Sequence, residues 1–88
     1  MLSTFKLGET KYVKIKLINP DGLPFVIDKS LYKLEDEKGV IVSEGDALIE
    51  ENTLRMRLTP KEKGKHKLTI TFWILDTIRI TSLIVLVG

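Results

Sequence analysis

The chain has 88 residues, no cysteine and a formal net charge of +2. This length predicts one domain spanning residues 1–88, and the absence of thiols excludes disulfides and thiolate metal sites. The charge is too small to indicate nucleic-acid binding by itself. The N-terminal residues lack the apolar segment of a signal peptide, and the apolar C-terminal run, interrupted by Asp76 and Arg79, is too short for a membrane helix. We therefore expect a soluble protein that does not contact membranes.

Apolar and polar residues alternate along most of the chain, which predicts β-strands with one buried face. Polar turn signals separate the strands: NPDG at 19–22, DEKG at 36–39, EGD at 44–46, EEN at 50–52 and TPKEKGK at 59–65, in which PKEK could form one helical turn. This spacing is typical of an all-β sandwich, with a small barrel as the alternative. The predicted strands are 3–7, 10–18, 24–27, 31–35, 40–43, 47–50, 53–59, 66–75 and 78–87.

The order of these features resembles the immunoglobulin-like N-terminal domain of phage baseplate upper proteins and related small phage tail modules. The motifs that carry the likeness are GET (8–10), KYVKIKL (11–17), NPDG followed by LP (23–24), EDEKG (35–39) and LRMRLTPKEKGKHKLTITF (54–72). The resemblance covers residues 5–87. It implies an immunoglobulin-like antiparallel β-sandwich of about 7–8 strands, acting as a structural module of a phage or prophage particle, and it brings no catalytic residues.

No motif in the chain predicts catalysis, a cofactor or a metal site. His66 is the only histidine, and we expect it to be an exposed residue between two lysines. The acidic run Glu35, Asp36 and Glu37 lacks the alternating spacing of a calcium loop, so a solvated turn is the preferred interpretation over a cation site. The glycines are scattered and form no phosphate-binding loop. We therefore expect a protein that is not an enzyme.

A basic face is predicted on one sheet of the sandwich. If strands 10–18 and 53–59 are neighbours, four cationic residues share an outer face, which Lys6 could join: Lys14, Lys16, Arg55 and Arg57. Like charges opposed across a ladder cost about 0.2–1 kcal/mol per pair. Either carboxylates such as Glu50 neutralise this solvated face, or the face contacts an acidic protein surface. Nucleic acid is not expected, because the face has no evident aromatic stacking platform.

The C-terminal segment FWILDTIRITSLIVLVG (72–88) contains more large apolar residues than one buried sheet face requires. A hairpin with a two-residue loop at Asp76 and Thr77 would place Trp73 opposite Ile80, and a three-residue loop would place it opposite Thr81. Both registers leave apolar side chains on the outer face. The predicted interface comprises Trp73, Leu75, Ile80, Leu83, Ile84 and Val85. The alternative is that residues 1–7 or 23–27 cover this face within one subunit.

Three functional hypotheses follow from the sequence. The leading one is a non-enzymatic structural module of phage or prophage tail or baseplate type, which assembles with itself or with a protein partner through the C-terminal hairpin face. Its location would then be a virion or the bacterial cytoplasm. The second is a small carbohydrate-type binding module that uses Trp73, Tyr12 or Tyr32 for stacking. The third is an anion-binding module that uses the basic face.

Overall fold

The computed structural model describes residues 2–18, 22 and 25–88. These residues contain no helix, and therefore no apolar helix of membrane-spanning length. The all-β class predicted from the alternating pattern is confirmed. The eight strands are β1 (Leu2–Phe5), β2 (Lys11–Lys16), β3 (Lys29–Glu35), β4 (Ile41–Asp46), β5 (Leu48–Glu50), β6 (Thr53–Leu58), β7 (Gly64–Ile74) and β8 (Thr77–Val87).

The strands form two separate sheets, and neither closes into a barrel. One sheet has five strands in the order β1-β8-β7-β3-β4, and the other has three in the order β2-β6-β5. The pairing of β1 with β8 is parallel, whereas all other described pairings are antiparallel. The predicted neighbours 10–18 and 53–59 are paired as β2 and β6. The arrangement is sandwich-like, with one core between the sheets.

The core is built by the inward half of each alternating strand. Leu54, Met56 and Leu58 of β6 are almost completely buried, as are Leu68 and Ile70 of β7. Each fully buried side chain of this size contributes about 1.5–3 kcal/mol relative to an exposed one. The period of two residues therefore explains both the strands and the position of the core between them.

One predicted strand and one predicted break between strands differ in the structure. Residues 25–28 form no strand; Ile27 is buried, but Asp28 makes the only described backbone hydrogen bond of this segment, from its N–H to the Trp73 carbonyl. The predicted break EGD at 44–46 is part of β4, because Glu44 and Asp46 pair with β3 in the ladder. The chain leaves β4 only at Ala47, whose N–H bonds to the Ser30 carbonyl.

Other turn predictions have mixed outcomes. EEN forms a turn between β5 and β6, and DEKG forms one between β3 and β4. PKEK forms no helical turn, and β7 begins at Gly64, two residues earlier than expected. The turn NPDG and Pro24 of the predicted strand 24–27 lie outside the described residues, apart from Gly22.

The register of the β7–β8 hairpin differs from both loop alternatives that were considered from the sequence. Its loop consists of Leu75 and Asp76, so Ile74 pairs with Thr77 and Trp73 pairs with Ile78. Leu75 has a φ of 54°, a region that few side-chain-bearing residues adopt. Its N–H donates a hydrogen bond of 3.0 Å to the Asp28 carboxylate. A contact with a distant segment thus holds the loop at this position.

Candidate functional site

The outer side of the five-stranded sheet carries a row of apolar side chains along the C-terminal hairpin. We define the apolar face as Trp73, Ile78, Ile80, Ile84 and Leu86. Ile78 lies opposite Trp73 in the ladder, and Ile80 lies opposite Thr71. The exposed fractions of Ile78 and Ile80 are 58% and 70%. Large side chains are therefore left in solvent on a regular sheet surface.

Trp73 is half-buried within this face. The Lys29 ammonium nitrogen lies 5.5 Å from the centre of the Trp73 ring, because Lys29 is the neighbour of Trp73 on β3. Such a cation–π contact contributes about 0.5–1 kcal/mol at exposed sites. The contact fixes the ring against the sheet while Ile78 and Ile80 stand beside it.

Part of the sequence-predicted interface is wrong. Leu83 and Val85 point into the core, with exposed fractions of 4% and 0%, because the observed register turns the odd-numbered residues of β8 inward. Leu75 lies at the exposed hairpin tip. Ile78 and Leu86 were not among the predicted residues, although they share the alternation of Ile80 and Ile84.

No described segment covers the apolar face. β1 extends the sheet by pairing with the edge of β8, so it lies beside this face and not over it. Ile27 is a core residue, which directs residues 25–28 toward the interior. The sequence offered the alternative that residues 1–7 or 23–27 cover the hairpin within one subunit. Residues 2–7 and 25–27 do not cover it, and residues 1, 23 and 24 lie outside the described part of the chain.

The basic face is formed on the three-stranded sheet by the residues that the sequence indicated. Lys14 lies directly opposite Arg55, and Arg57 lies opposite Tyr12. The Arg55 guanidinium bonds to the Glu50 carboxylate at 2.6 Å and lies 4.7 Å from the Tyr12 ring centre. Glu50 therefore offsets part of the repulsion between Lys14 and Arg55.

The acidic turn uses its carboxylates to bind backbone groups. Asp36 Oδ1 accepts hydrogen bonds from the N–H groups of Lys38 and Val40 at 2.9 and 3.0 Å. Glu37 Oε1 accepts one from the Lys65 N–H at 2.9 Å. Within the described residues no group of three or more metal-ligating side chains occurs. The turn is thus explained by Asx-type capping of the hairpin between β3 and β4.

His66 is buried, contrary to the prediction from its flanking lysines. Its exposed fraction is 2%. Like Leu68 and Ile70, it is an even-numbered residue of β7, and these residues point inward; it pairs with the buried Val85. Nδ1 lies 3.2 Å from the Gly64 carbonyl oxygen, and Nε2 is buried without a described partner. His66 is therefore a core residue of the sheet.

The aromatic residues considered for carbohydrate stacking lie on three different surfaces. Trp73 is on the outer side of the five-stranded sheet, Tyr32 pairs with Ile70 on its inner side, and Tyr12 is on the outer side of the other sheet. Sugar-binding surfaces combine exposed rings with nearby polar groups. The fold does not bring these three rings together.

Comparisons of the chain with protein-family models, curated proteins and solved structures find no match. The resemblance to phage baseplate and tail modules therefore rests on the order of the strands and turn motifs. The geometry of the two sheet faces provides the independent basis for a function.

Proposed function

We propose that this chain is a non-enzymatic structural module of immunoglobulin-like fold, of the kind that builds phage or prophage tails and baseplates. Its apolar face docks against another copy of the chain or against a protein partner in that assembly. The observation that carries the proposal is the row of Ile78, Ile80, Ile84 and Leu86 on the solvent side of a sheet, with no described segment over it.

The immunoglobulin-like assignment is supported by the strand order. Sheets of five and three strands, with β2 next to β6 and β7 between β3 and β8, correspond to the two-sheet Greek-key arrangement of such sandwiches. The parallel pairing of the first strand with the last adds β1 to the larger sheet as an edge strand. The phage assignment is supported by the motif order, in which LTP ends β6 and EDEKG forms the β3–β4 turn.

The energetics favour burial of the apolar face in an assembly. Each large apolar side chain contributes about 1.5–3 kcal/mol when it is fully buried, so four partly exposed ones offer several kcal/mol. The molecule extends over 39 × 19 × 19 Å, so its broad side offers roughly 700 Å². A standard stable interface buries about 800 Å² per partner. The apolar face is one part of this broad side, so a neighbour that makes a contact of standard size would cover the apolar face together with the residues around it.

Sedimentation equilibrium of three proteins tests this function: the natural chain, Ile80→Glu and the control Ile18→Glu. Ile18 is 77% exposed and lies outside the apolar face, so its charge variant should behave like the natural chain. Ile80→Glu should retain its β-sheet circular dichroism, but its average molar mass in solution should fall toward that of the monomer. The reason is that the contact would remove water from the new carboxylate, which is unfavourable.

Two results would contradict the self-association form of the proposal. The first is a natural chain that stays monomeric at the highest attainable concentration. The second is an Ile80→Glu variant that unfolds, since this would place Ile80 in the core of the monomer.

A further inference from the structure

The two long sides of the sandwich have open strand edges. β1 and β2 lie at one side, where the Lys11 ammonium donates to the Thr4 carbonyl and lies 4.6 Å from the Phe5 ring centre. β4 and β5 lie at the other side, separated by Ala47 alone. Each of these four strands pairs on one side only. Unpaired edges expose backbone donors and acceptors that can extend a sheet into a neighbouring chain.

The two sides carry opposite charges. We call residues 2–16 the basic edge, because they contain four lysines and one glutamate, and residues 40–51 the acidic edge, because they contain four carboxylates and no lysine or arginine. The lysines are Lys6, Lys11, Lys14 and Lys16, and the carboxylates are Glu44, Asp46, Glu50 and Glu51.

Local ion pairs neutralise only part of each edge. Glu9 pairs with Lys11 at 3.6 Å on the basic edge, and Glu50 pairs with Arg55 on the acidic edge. In the described part of the chain, no salt bridge involves Lys14 or Lys16 on β2, and none involves Glu44 or Asp46 on β4. The residual charge of both edges therefore faces solvent.

Both edges also expose apolar surface beside their charges. On the acidic edge the exposed apolar side chains are Val40, Ile41, Val42, Leu48 and Ile49, and on the basic edge they are Leu7 and Tyr12. Charged strands of this kind are a common defence against pairing with an identical edge. In this protein the charges oppose pairing between two basic edges or two acidic edges, but they favour pairing between a basic edge and an acidic edge.

We propose that copies of this chain associate head to tail, with the basic edge of one copy against the acidic edge of the next. Contacts between two basic or two acidic edges would oppose like charges, whereas unlike edges would pair Lys14 and Lys16 with Glu44 and Asp46. A heterologous contact of this type repeats from copy to copy and produces a ring or a filament. The contact is separate from the apolar face and does not depend on the proposed function.

Charge reversal tests this contact with two double variants. Lys14→Glu/Lys16→Glu would oppose carboxylates to Glu44 and Asp46, and Glu44→Lys/Asp46→Lys would oppose ammonium groups to Lys14 and Lys16. Each variant therefore sets like charges against each other at the contact positions, so its self-association should weaken. The association constant of each should fall at least about tenfold relative to the natural chain, since like-charge juxtaposition is strongly unfavourable. An equimolar mixture of the two variants should associate again.

The quadruple variant, which exchanges the signs of these four contact residues, should also regain self-association. The control Lys61→Glu/Lys63→Glu makes the same charge change in the connection between β6 and β7 and leaves both edge strands unchanged. The solution mass, measured by sedimentation velocity, should fall for the natural chain between about 50 mM and 500 mM NaCl, because salt screens exposed charges.

The proposal is overturned if the natural chain is monomeric at low salt, if both reversed variants keep its mass, or if their mixture fails to associate. Loss of association on Ile80→Glu alone, with no effect of salt or of the edge variants, would support the apolar face and refute the edge contact. The reverse pattern would support the edge contact and refute self-association through the apolar face.

Discussion

Leu83 and Ile80 lie three residues apart on β8 and point to opposite sides of the sheet, which gives a direct test of which face of β8 is buried. Leu83 pairs with Leu68 inside the core, whereas Ile80 is 70% exposed. We expect Leu83→Ala to lower the free energy of unfolding by about 3 kcal/mol, within the range of 2–5 kcal/mol for buried leucines. Ile80→Ala should cost about 1 kcal/mol or less, mainly from reduced strand propensity.

The size of this difference is large relative to the stability of a small protein. A domain of 88 residues has a free energy of unfolding of about 4–13 kcal/mol. With a urea m-value of about 1 kcal/mol/M, Leu83→Ala should lower the unfolding midpoint by about 3 M. The shift for Ile80→Ala should be about 1 M or less.

Urea titration followed by the fluorescence of Trp73, the single tryptophan, measures both shifts. Low protein concentration is needed, so that association does not add to the stability. Equal shifts for the two variants, or a larger one for Ile80→Ala, would refute the assignment of the buried face of β8 and with it the definition of the apolar face. The three-residue-loop alternative considered from the sequence predicts that reversed order.

Three smaller predictions concern individual polar groups. Ser30→Ala should raise the free energy of unfolding by about 1 kcal/mol, because the Ser30 hydroxyl is buried without a described partner; an unchanged or lower urea midpoint would contradict this. Asp28→Ala removes the acceptor of the Leu75 N–H and should cost about 1 kcal/mol, with faster hydrogen exchange at the hairpin tip. The pKa of Glu9, measured by NMR titration, should lie below its usual value. The main cause is that the Glu9 carboxylate accepts a hydrogen bond from the Lys6 N–H, and the nearby Lys11 ammonium also lowers this pKa. Since the folded-state pKa is lowered, this stabilisation is present above the usual pKa and is lost as the pH falls through the lowered one.

The alternating pattern was sufficient to predict most of the strands and the main features of the basic face. Lys14 and Arg55 were expected as neighbours on one outer face, and they are paired residues of β2 and β6. Neutralisation by carboxylates such as Glu50 is one of the two alternatives that the sequence offers for this face, and Glu50 bonds to Arg55. These features follow from side-chain alternation and from the usual order of strands in a sandwich, which are both readable from sequence.

The hairpin register could not be predicted, because it depends on a contact between distant residues. Leu75 occupies a positive-φ loop position that its residue type does not suggest, and Asp28, which bonds to it, lies 47 positions earlier. His66 is a different case. Its alternation with Leu68 and Ile70 already indicated an inward position, but the flanking lysines suggested exposure.

The central claim is that the apolar face is bare in one copy and covered in an assembly. Isoleucine methyl NMR with a soluble paramagnetic probe, recorded over a range of protein concentrations, measures this directly. At the lowest concentration Ile78, Ile80 and the reference Ile18 should all be strongly broadened by the probe. As the concentration rises, Ile78 and Ile80 should become protected while Ile18 stays broadened. Protection of Ile80 at every concentration, or equal broadening of all three at the highest concentration, would contradict the claim.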